Sequence, residues 1–493
     1  MSLAQGNGAD YYGGGTGELN DPYQIWTPDQ FVAIGAHSGD WASHFRLMAD
    51  VNLVDAESAL IAPIGNHVVP FSGVFDGNGF AIEEFVLDHA SLNDVGVFGV
   101  VGIPELKARI DPDGLGERYV FDYQSHVFDP NEMVIHIRNV RLVNVRISGS
   151  KHVGALAGRC FGGIENCRIE GGTLAFPEQD LGGTYSGAVP KYFYDSQFSV
   201  REYSLRKGSA GGVVGHLLVG KLVGCDASSV EISGERLAGG LVGFCDESII
   251  EGCSFKGNVT SGNFGGGLVG NTQLSKVRKS RADADVIGRY RNGGLFGIAS
   301  GSRISQCRAT GQVQGSDTLG GLIGYSYGSR ISDCYAQCDL TPLSDRGGTG
   351  MLNEMGGFLG TSVHDSIARC YCASRLFVDA IIDRWENTGN IKLRHRGGSF
   401  IGKRTFNDFE RQLTRASFWD EDVSVLSIGV SYVMSYTNNY YPIEQISPIS
   451  TPEMMSQVPF MNAGWNFETI WAIEEGGATL CFNGSLKSDQ EML

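Results

Sequence analysis

The chain has 493 residues, 42% of them hydrophobic and 19% charged, which is the balance of a folded protein and excludes a disordered tract. Its net charge of −17 excludes the basic stripe that phosphate backbones require. No nucleic-acid partner is therefore expected, and an acidic polysaccharide would be received only by a local basic patch. No run reaches the ~18 apolar residues of a membrane span, and Met1 to Gln5 has neither the charged nor the apolar region of a leader.

The first segment, residues 1–64, reads as a lead-in with a helical cap. Thr27-Pro28-Asp29-Gln30 carries the signature of a helix start. Thr is the N-cap, Pro the first helical residue, and Gln closes a capping box. The helix is expected to run to about Ala36, with Phe31 and Ile34 plugging the first repeat unit of the chain.

Residues 65–415 repeat one phrase: Gly-Gly, two apolar residues, Gly. It stands at Gly211–Gly215, Gly239–Gly243, Gly266–Gly270, Gly293–Gly297 and Gly320–Gly324. A fixed period of ~27 residues marks a stacked array in which each unit borrows its neighbour's apolar face. Alternation such as Ile304-Ser305-Gln306-Cys307-Arg308-Ala309 is the strand period. The expected fold is all-β: a right-handed parallel β-helix, or β-solenoid, of ~27-residue rungs with two or three short strands each and short capping helices at its ends. The glycines are expected at corners, where positive φ or close backbone approach is required. They are not a phosphate loop, because no Gly-Lys-Ser/Thr comes after them.

Ten residues after each closing glycine stand Cys225, Cys253, Ser280, Cys307, Cys334 and Cys370, with Cys167 at nearly the same offset. This is an internal ladder of free thiols, since bridging has strict geometric demands that stacked strands do not meet. Cys334/Cys338 and Cys370/Cys372 have the spacing of metal pairs, but no further ligands complete a site. Neither a metal nor a cofactor is expected.

Four segments exceed the period: 101–135, 173–208, 341–355 and 375–396. The last three fall at the same place in the repeat and are expected to leave from one corner, the first from another. Insertions in solenoids mark the binding face. Their walls carry Tyr192, Tyr194, Asp345, Arg346, Asp383, Trp385, Glu386, Arg394 and His395, and the short corners between them supply Phe264, Arg289, Tyr290, Arg291 and Asp317. Aromatic rings beside Arg, Asp and Asn suit a sugar. His216 comes directly after a closing glycine and reads as a corner residue.

Residues 416–493 read as a C-terminal cap. Thr451-Pro452-Glu453 starts a second helix, and Trp465-Asn466-Phe467 with Trp471 is aromatic packing. Tyr432, Tyr436, Tyr440 and Tyr441 read as packing under a long loop.

These units resemble the bacterial GLUG-motif repeat, through Gly-Leu-(apolar)-Gly and the lead-in Ile331-Ser332-Asp333-Cys334-Tyr335-Ala336. Gly14-Gly15-Thr16-Gly17 and Phe71–Gly79 are similar to the N-terminal lead-in of such proteins. Ser417-Phe418-Trp419-Asp420 is similar to their closing segment. The resemblance implies a secreted or cell-surface, adhesin-like bacterial protein whose leader is absent from this sequence. It carries over no catalytic residue.

Three functions are expected in order. The first is a non-catalytic solenoid binding a glycan or other cell-surface ligand through Tyr192, Tyr194, Arg289, Tyr290, Asp317, Arg346, Trp385 and Arg394. The second is a polysaccharide lyase or glycoside hydrolase working in the same trough. Its candidate groups are His395, Arg394, Tyr290, Asp345, Asp383 and Glu386, because a hydrolase needs two carboxylates and a lyase a base beside a cation. The third is a structural spacer.

Overall fold

Each rung carries four strands, where the sequence pattern predicts two or three. The computed structural model describes residues 11–56, 61–89, 91–102, 133–176, 208–343, 354–377, 396–406, 414–423, 430–435, 446–473 and 480–482, with short strands at 109–110 and 117–118. A representative rung runs through Leu237–Gly239, Val242–Asp246, Ile249–Glu251 and Ser254–Ser261. These four strands belong to four sheets, numbered 1 to 4 in that order. Each pairs in parallel with the next rung, as in Ala238 with Gly265, Val242 with Val269, Ile250 with Val277 and Phe255 with Ala282. Among the described residues sheets 1 to 4 hold nine, ten, twelve and fourteen strands, which makes a parallel β-helix. The three-residue strands of sheets 1 and 3 are too short to show alternation by themselves, so the sequence pattern undercounts the strands of a rung.

Parallel pairing begins at Tyr23–Ile25 and continues to Ile446–Ile449, beyond the rungs that carry the glycine phrase. The core is one continuous column. Leu241, Leu268, Leu295 and Leu322 fill one corner, and Leu222, Ile250, Val277, Ile304 and Ile331 the opposite wall, all buried.

Two corners per rung turn through a left-handed residue. Between sheets 2 and 3 it is Glu247, Leu274, Gly301, Gly328 and His364 in successive rungs; between sheets 3 and 4 it is Gly252, Lys279, Gln306, Asp333 and Arg369. After each such residue comes a small hydrogen-bonding side chain turned inward. At the second corner this is the thiol ladder. Cys225, Cys253, Cys307, Cys334 and Cys370 are free, buried, and donate to the carbonyl two residues back at 3.1–3.4 Å. Ser280 and Ser417 substitute in the row: the N–H of Cys253 donates to Ser280 Oγ at 3.2 Å and that of Cys370 to Ser417 Oγ at 3.2 Å. Burial pushes the thiols of Cys225, Cys253 and Cys334 well above their ordinary value, so they are inert.

The first corner holds a matching row that the sequence pattern does not reveal. The N–H of Ser248 donates to Ser275 Oγ at 3.0 Å, that of Ser275 to Ser302 at 3.2 Å, that of Ser302 to Ser329 at 3.3 Å, and that of Ser329 to Asp365 Oδ1 at 2.8 Å. Both rows answer the same need: a buried N–H at a turn must find an acceptor.

The motif glycines correct one expectation. Of the two reasons offered, positive φ does not apply, since Gly239, Gly240, Gly266 and Gly267 are absent from the left-handed region. Close approach does. A Cβ on Gly267 would lie 2.1 Å from the carbonyl oxygen of Gly294, one rung on.

The first helix spans Pro28–Ala36, with Thr27 Oγ1 accepting from the N–H of Gln30, and Phe31 and Ile34 buried. Gln30 reaches Trp26 N at 2.7 Å, one residue before the cap. The second helix start is Thr451–Met454, closed by a Ser450/Glu453 capping box. Among the described residues no helix is long and apolar enough to cross a membrane.

Candidate functional site

Sheets 1 and 2 meet at the motif glycines, and the meeting is concave. A Cβ on Gly297 would fall 2.6 Å from Gly270 O, and one on Gly324 2.8 Å from Asn292 N. With no side chain at this column, the outward residues of the two sheets face each other along a shallow groove, in which Asp94, Arg159, Arg291, Tyr325 and Lys403 are partly exposed and the other wall residues are buried. One wall is the first residue of the first eight sheet 1 strands: Asp94, His152, Ser209, Leu237, Phe264, Arg291, Thr318 and Glu354. The other is the residue after each closing glycine: Arg159, His216, Phe244, Asn271, Ile298, Tyr325, Thr361 and Lys403.

At the N-terminal end Arg159 bonds Asp94 at 3.0 Å. Burial raises the Asp94 carboxyl against the pull of Arg159. Next come His152 and His216, with ring centroids 5.1 Å apart. Ser209 Oγ donates to Gly215 O at 2.8 Å, which leaves His152 Nδ1–H as donor to Ser209 at 3.0 Å. Burial, reinforced for His152 by His216 and for His216 by Arg159, holds both imidazoles well below their ordinary value. His216 is thus a strand residue facing the groove and not a corner residue. Neither of its ring nitrogens has a hydrogen-bond partner among the described residues.

A signed prediction arises here. A histidine whose folded pKa is depressed contributes its stability above pH ~6.5, and loses it as pH falls below that value. His216→Phe matches Phe244 one rung on, so it should stabilise the protein by about 1 kcal/mol at pH 7.5 and by more at pH 5. Urea unfolding at the two pH values checks this; an equal gain at both would count against it.

The middle of the groove is apolar, with Leu237, Phe244, Phe264 and Ile298 clustered and Tyr290 and Tyr325 packed against them. Beyond it the groove becomes charged. Arg291 lies over the Tyr325 ring at 4.1 Å and over Phe264 at 5.7 Å. Glu354 takes the Lys403 ammonium at 2.9 Å and the Thr361 hydroxyl. Asp317 precedes this wall in the adjoining rung, and the N–H of Glu354 donates to its carbonyl at 3.0 Å. Its carboxyl is pushed up to about 6, chiefly by burial and further by Glu354, against the opposing pull of Arg291 and Lys403.

Of the residues expected to form the site, Arg289, Tyr290 and Asp317 sit at the corners between sheets 4 and 1, on the lip of this groove, with Arg289 over the Tyr290 ring at 5.3 Å. Tyr192, Tyr194, Asp345, Arg346, Asp383, Trp385, Glu386, Arg394 and His395 lie outside the described residues. The segments that carry them join Phe176 to Gly208, Leu343 to Glu354, and Phe377 to Arg396, so all three depart from sheet 4 and return to sheet 1 at the groove's lip. The first insertion in the chain joins sheet 2 to sheet 3, between Val101 and Ile135. Sequence reasoning missed Glu354, Tyr325, Thr361, Lys403, His152 and Arg159. The signal was present: two offsets around the glycine phrase vary in chemistry from rung to rung while their neighbours stay apolar or glycine. Among the described residues no three His, Cys, Asp or Glu side chains gather as a metal set.

Known proteins share parts of this pattern. Residues 315–340 match the description of the GLUG motif. The chain is 28% identical over 178 residues to halomucin of Haloquadratum walsbyi, covering 34% of this chain and 2% of that protein. It is 27% identical over 165 residues to a protein of Evansella cellulosilytica named as a Gly-rich membrane protein, covering 32% of this chain and 16% of that one. The matched stretch is thus a small part of both relatives. A Bacteroides ovatus structure named as an immunoglobulin A1 protease aligns over 97% of both chains, with 17% identity and a TM-score of 0.35, a level that carries no inference. One unit of the glycine-led repeat, residues 315–340, is thus similar to the GLUG motif.

Proposed function

We propose that this protein is a secreted or cell-surface solenoid that binds an extended glycan in the groove between sheets 1 and 2, as an adhesin-like module without catalysis. The observation that carries the reading is the charged third of the groove. There the partly buried rings of Tyr290 and Tyr325, each with a guanidinium over it, stand beside Asp317, Glu354 and Lys403. Rings that stack on pyranose faces next to groups that bond hydroxyls are the chemistry of sugar recognition. The three long segments that begin and end at the lip support the same reading, as do the names of the two relatives, one a mucin by name and one a membrane protein.

A second reading rests on Asp317. A carboxyl raised to about 6, beside a carboxylate tied to Lys403, is the pairing from which a glycosidase draws an acid and a partner. One experiment separates the two. On a glycan array, a binder should give a hit that Tyr290→Ala weakens about tenfold, and the hit should stay intact on incubation. An enzyme should release new reducing ends or unsaturated ends, with a rate that falls as pH rises through about 6 and drops about a hundredfold or more in Asp317→Asn. A silent array with no turnover would leave the spacer function in place of both.

A further inference from the structure

Sheet 3 is separated from the groove by the width of sheet 2 and one corner on one side, and by sheets 1 and 4 and two corners on the other. The outward first position of its strands runs Lys221, Ile249, Lys276, Arg303, Arg330 and Ser366 in strict register. Lys276, Arg303 and Arg330 are exposed and directly adjacent. Lys279 is exposed at the next corner of the same rung as Lys276. In the neighbouring outward column Arg278 is paired with Glu251 at 2.6 Å, and farther along Asp333 is committed to Arg369 through two bonds of 2.7 Å. Among the described residues Lys276, Lys279, Arg303 and Arg330 have no carboxylate partner.

This arrangement is costly in isolation. Like charges directly opposite on paired strands are destabilising, and adjacent parallel strands are only ~4.8 Å apart. It also stands against the rest of the molecule, in which 55 acidic residues outnumber 38 basic ones. A line of one free cation per rung is what a linear chain with regularly spaced anions would neutralise. In the next column Ser305 and Ser332 place a hydroxyl beside Arg303 and Arg330, and Arg278 stands there beside Lys276. Between Lys221 and Ser366 no aromatic side chain occupies these two columns, so the stacking platforms that hold single-stranded nucleic acid are lacking there.

We propose that Lys276, Arg303 and Arg330, with Lys279 at their flank, bind a linear anionic polysaccharide laid along the solenoid axis. Its carboxylates or sulfates would meet one cation per rung. The site is separate from the groove and does not depend on it.

The test uses the full chain with polygalacturonate as the carboxylate probe, heparin as the sulfate probe, and single-stranded DNA as the competing polyanion. At low salt, one or both polysaccharides should bind, and affinity should fall linearly on a logarithmic salt scale. The triple variant Lys276→Gln, Arg303→Gln, Arg330→Gln should lose at least tenfold and flatten the salt slope by about one per residue removed. Lys256→Gln, an exposed cation on sheet 4, and Tyr290→Ala, in the groove, should leave this binding unchanged, which distinguishes it from failure of the groove reading. Unchanged thermal unfolding of the triple variant establishes that the fold is intact. Absence of binding to both polysaccharides at low salt, full binding by the triple variant, or equal affinity for DNA through the same residues would each overturn the proposal.

Discussion

Gly267→Val is expected to destabilise the protein by about 4 kcal/mol or more, enough to disrupt the central rungs. The obstruction is backbone, not a side chain that can swing aside. A Cβ at this position would lie 2.1 Å from Gly294 O and 3.0 Å from the Cβ atoms of both Ala282 and Ala284. Because Gly294 in turn needs Gly321 O within 2.2 Å of its own absent Cβ, relief at one rung would displace the next. Gly252→Ala is the control. Gly252 has φ of 63° with nothing within 4 Å of a Cβ, so it meets only the left-handed penalty of about 1 kcal/mol. Urea unfolding of the two variants checks the difference. Equal losses would mean that backbone strain, and not contact between rungs, governs the motif.

Asp365→Ala is expected to cost about 3–5 kcal/mol, the range for breaking one member of a buried charged network. Asp365 is fully buried in the serine row's place. It accepts from Ser326 Oγ at 2.9 Å, Ser329 N at 2.8 Å and Ser362 Oγ at 2.8 Å, and buried Arg404 lies near it. The pH dependence has a definite sign. Burial pushes Asp365 up to about 6, against its hydrogen bonds and Arg404. A group raised in this way contributes most below its unfolded value and loses that contribution as pH rises through about 6. The penalty of Asp365→Ala should therefore be larger at pH 4.5 than at pH 7.5. Stability curves for the pair at both values decide it; a penalty that grows with pH would show that the ionised carboxylate is the favoured partner.

The period, the parallel stack, the thiol row and both helix starts were legible because each rests on a residue type restricted by its surroundings. Cys at a crowded corner and Thr-Pro before a buried Phe31 leave few alternatives. The serine row was hidden by its own chemistry, since Ser275, Ser302 and Ser329 read as ordinary turn residues until their Oγ atoms are seen accepting from the rung before. The groove was hidden for a different reason. Its walls lie at two offsets whose residues differ in every rung, and Asp317 meets Glu354 only because an intervening segment returns the chain to the same corner. His216 read as a corner residue because its neighbour Gly215 looked like a turn, whereas that glycine lies within a strand and exists to admit the backbone beside it.

The two rows of small polar side chains give the solenoid a polarity along its axis. The N–H groups of Ser248, Ser275, Ser302 and Ser329 are answered by the hydroxyl or carboxylate of the next rung, and those of Cys225, Cys253 and Cys370 by Cys253, Ser280 and Ser417, while the serine acceptors' own protons go to a carbonyl in their own turn. The two ends of any stretch of rungs are therefore unequal. Removing rungs from the N-terminal side leaves only an acceptor with spare capacity. Removing them from the C-terminal side strands a donor at the serine corner. A stack built this way can be extended by duplicating whole rungs, provided that each donor keeps an acceptor on its C-terminal side, as Ser417 supplies for Cys370.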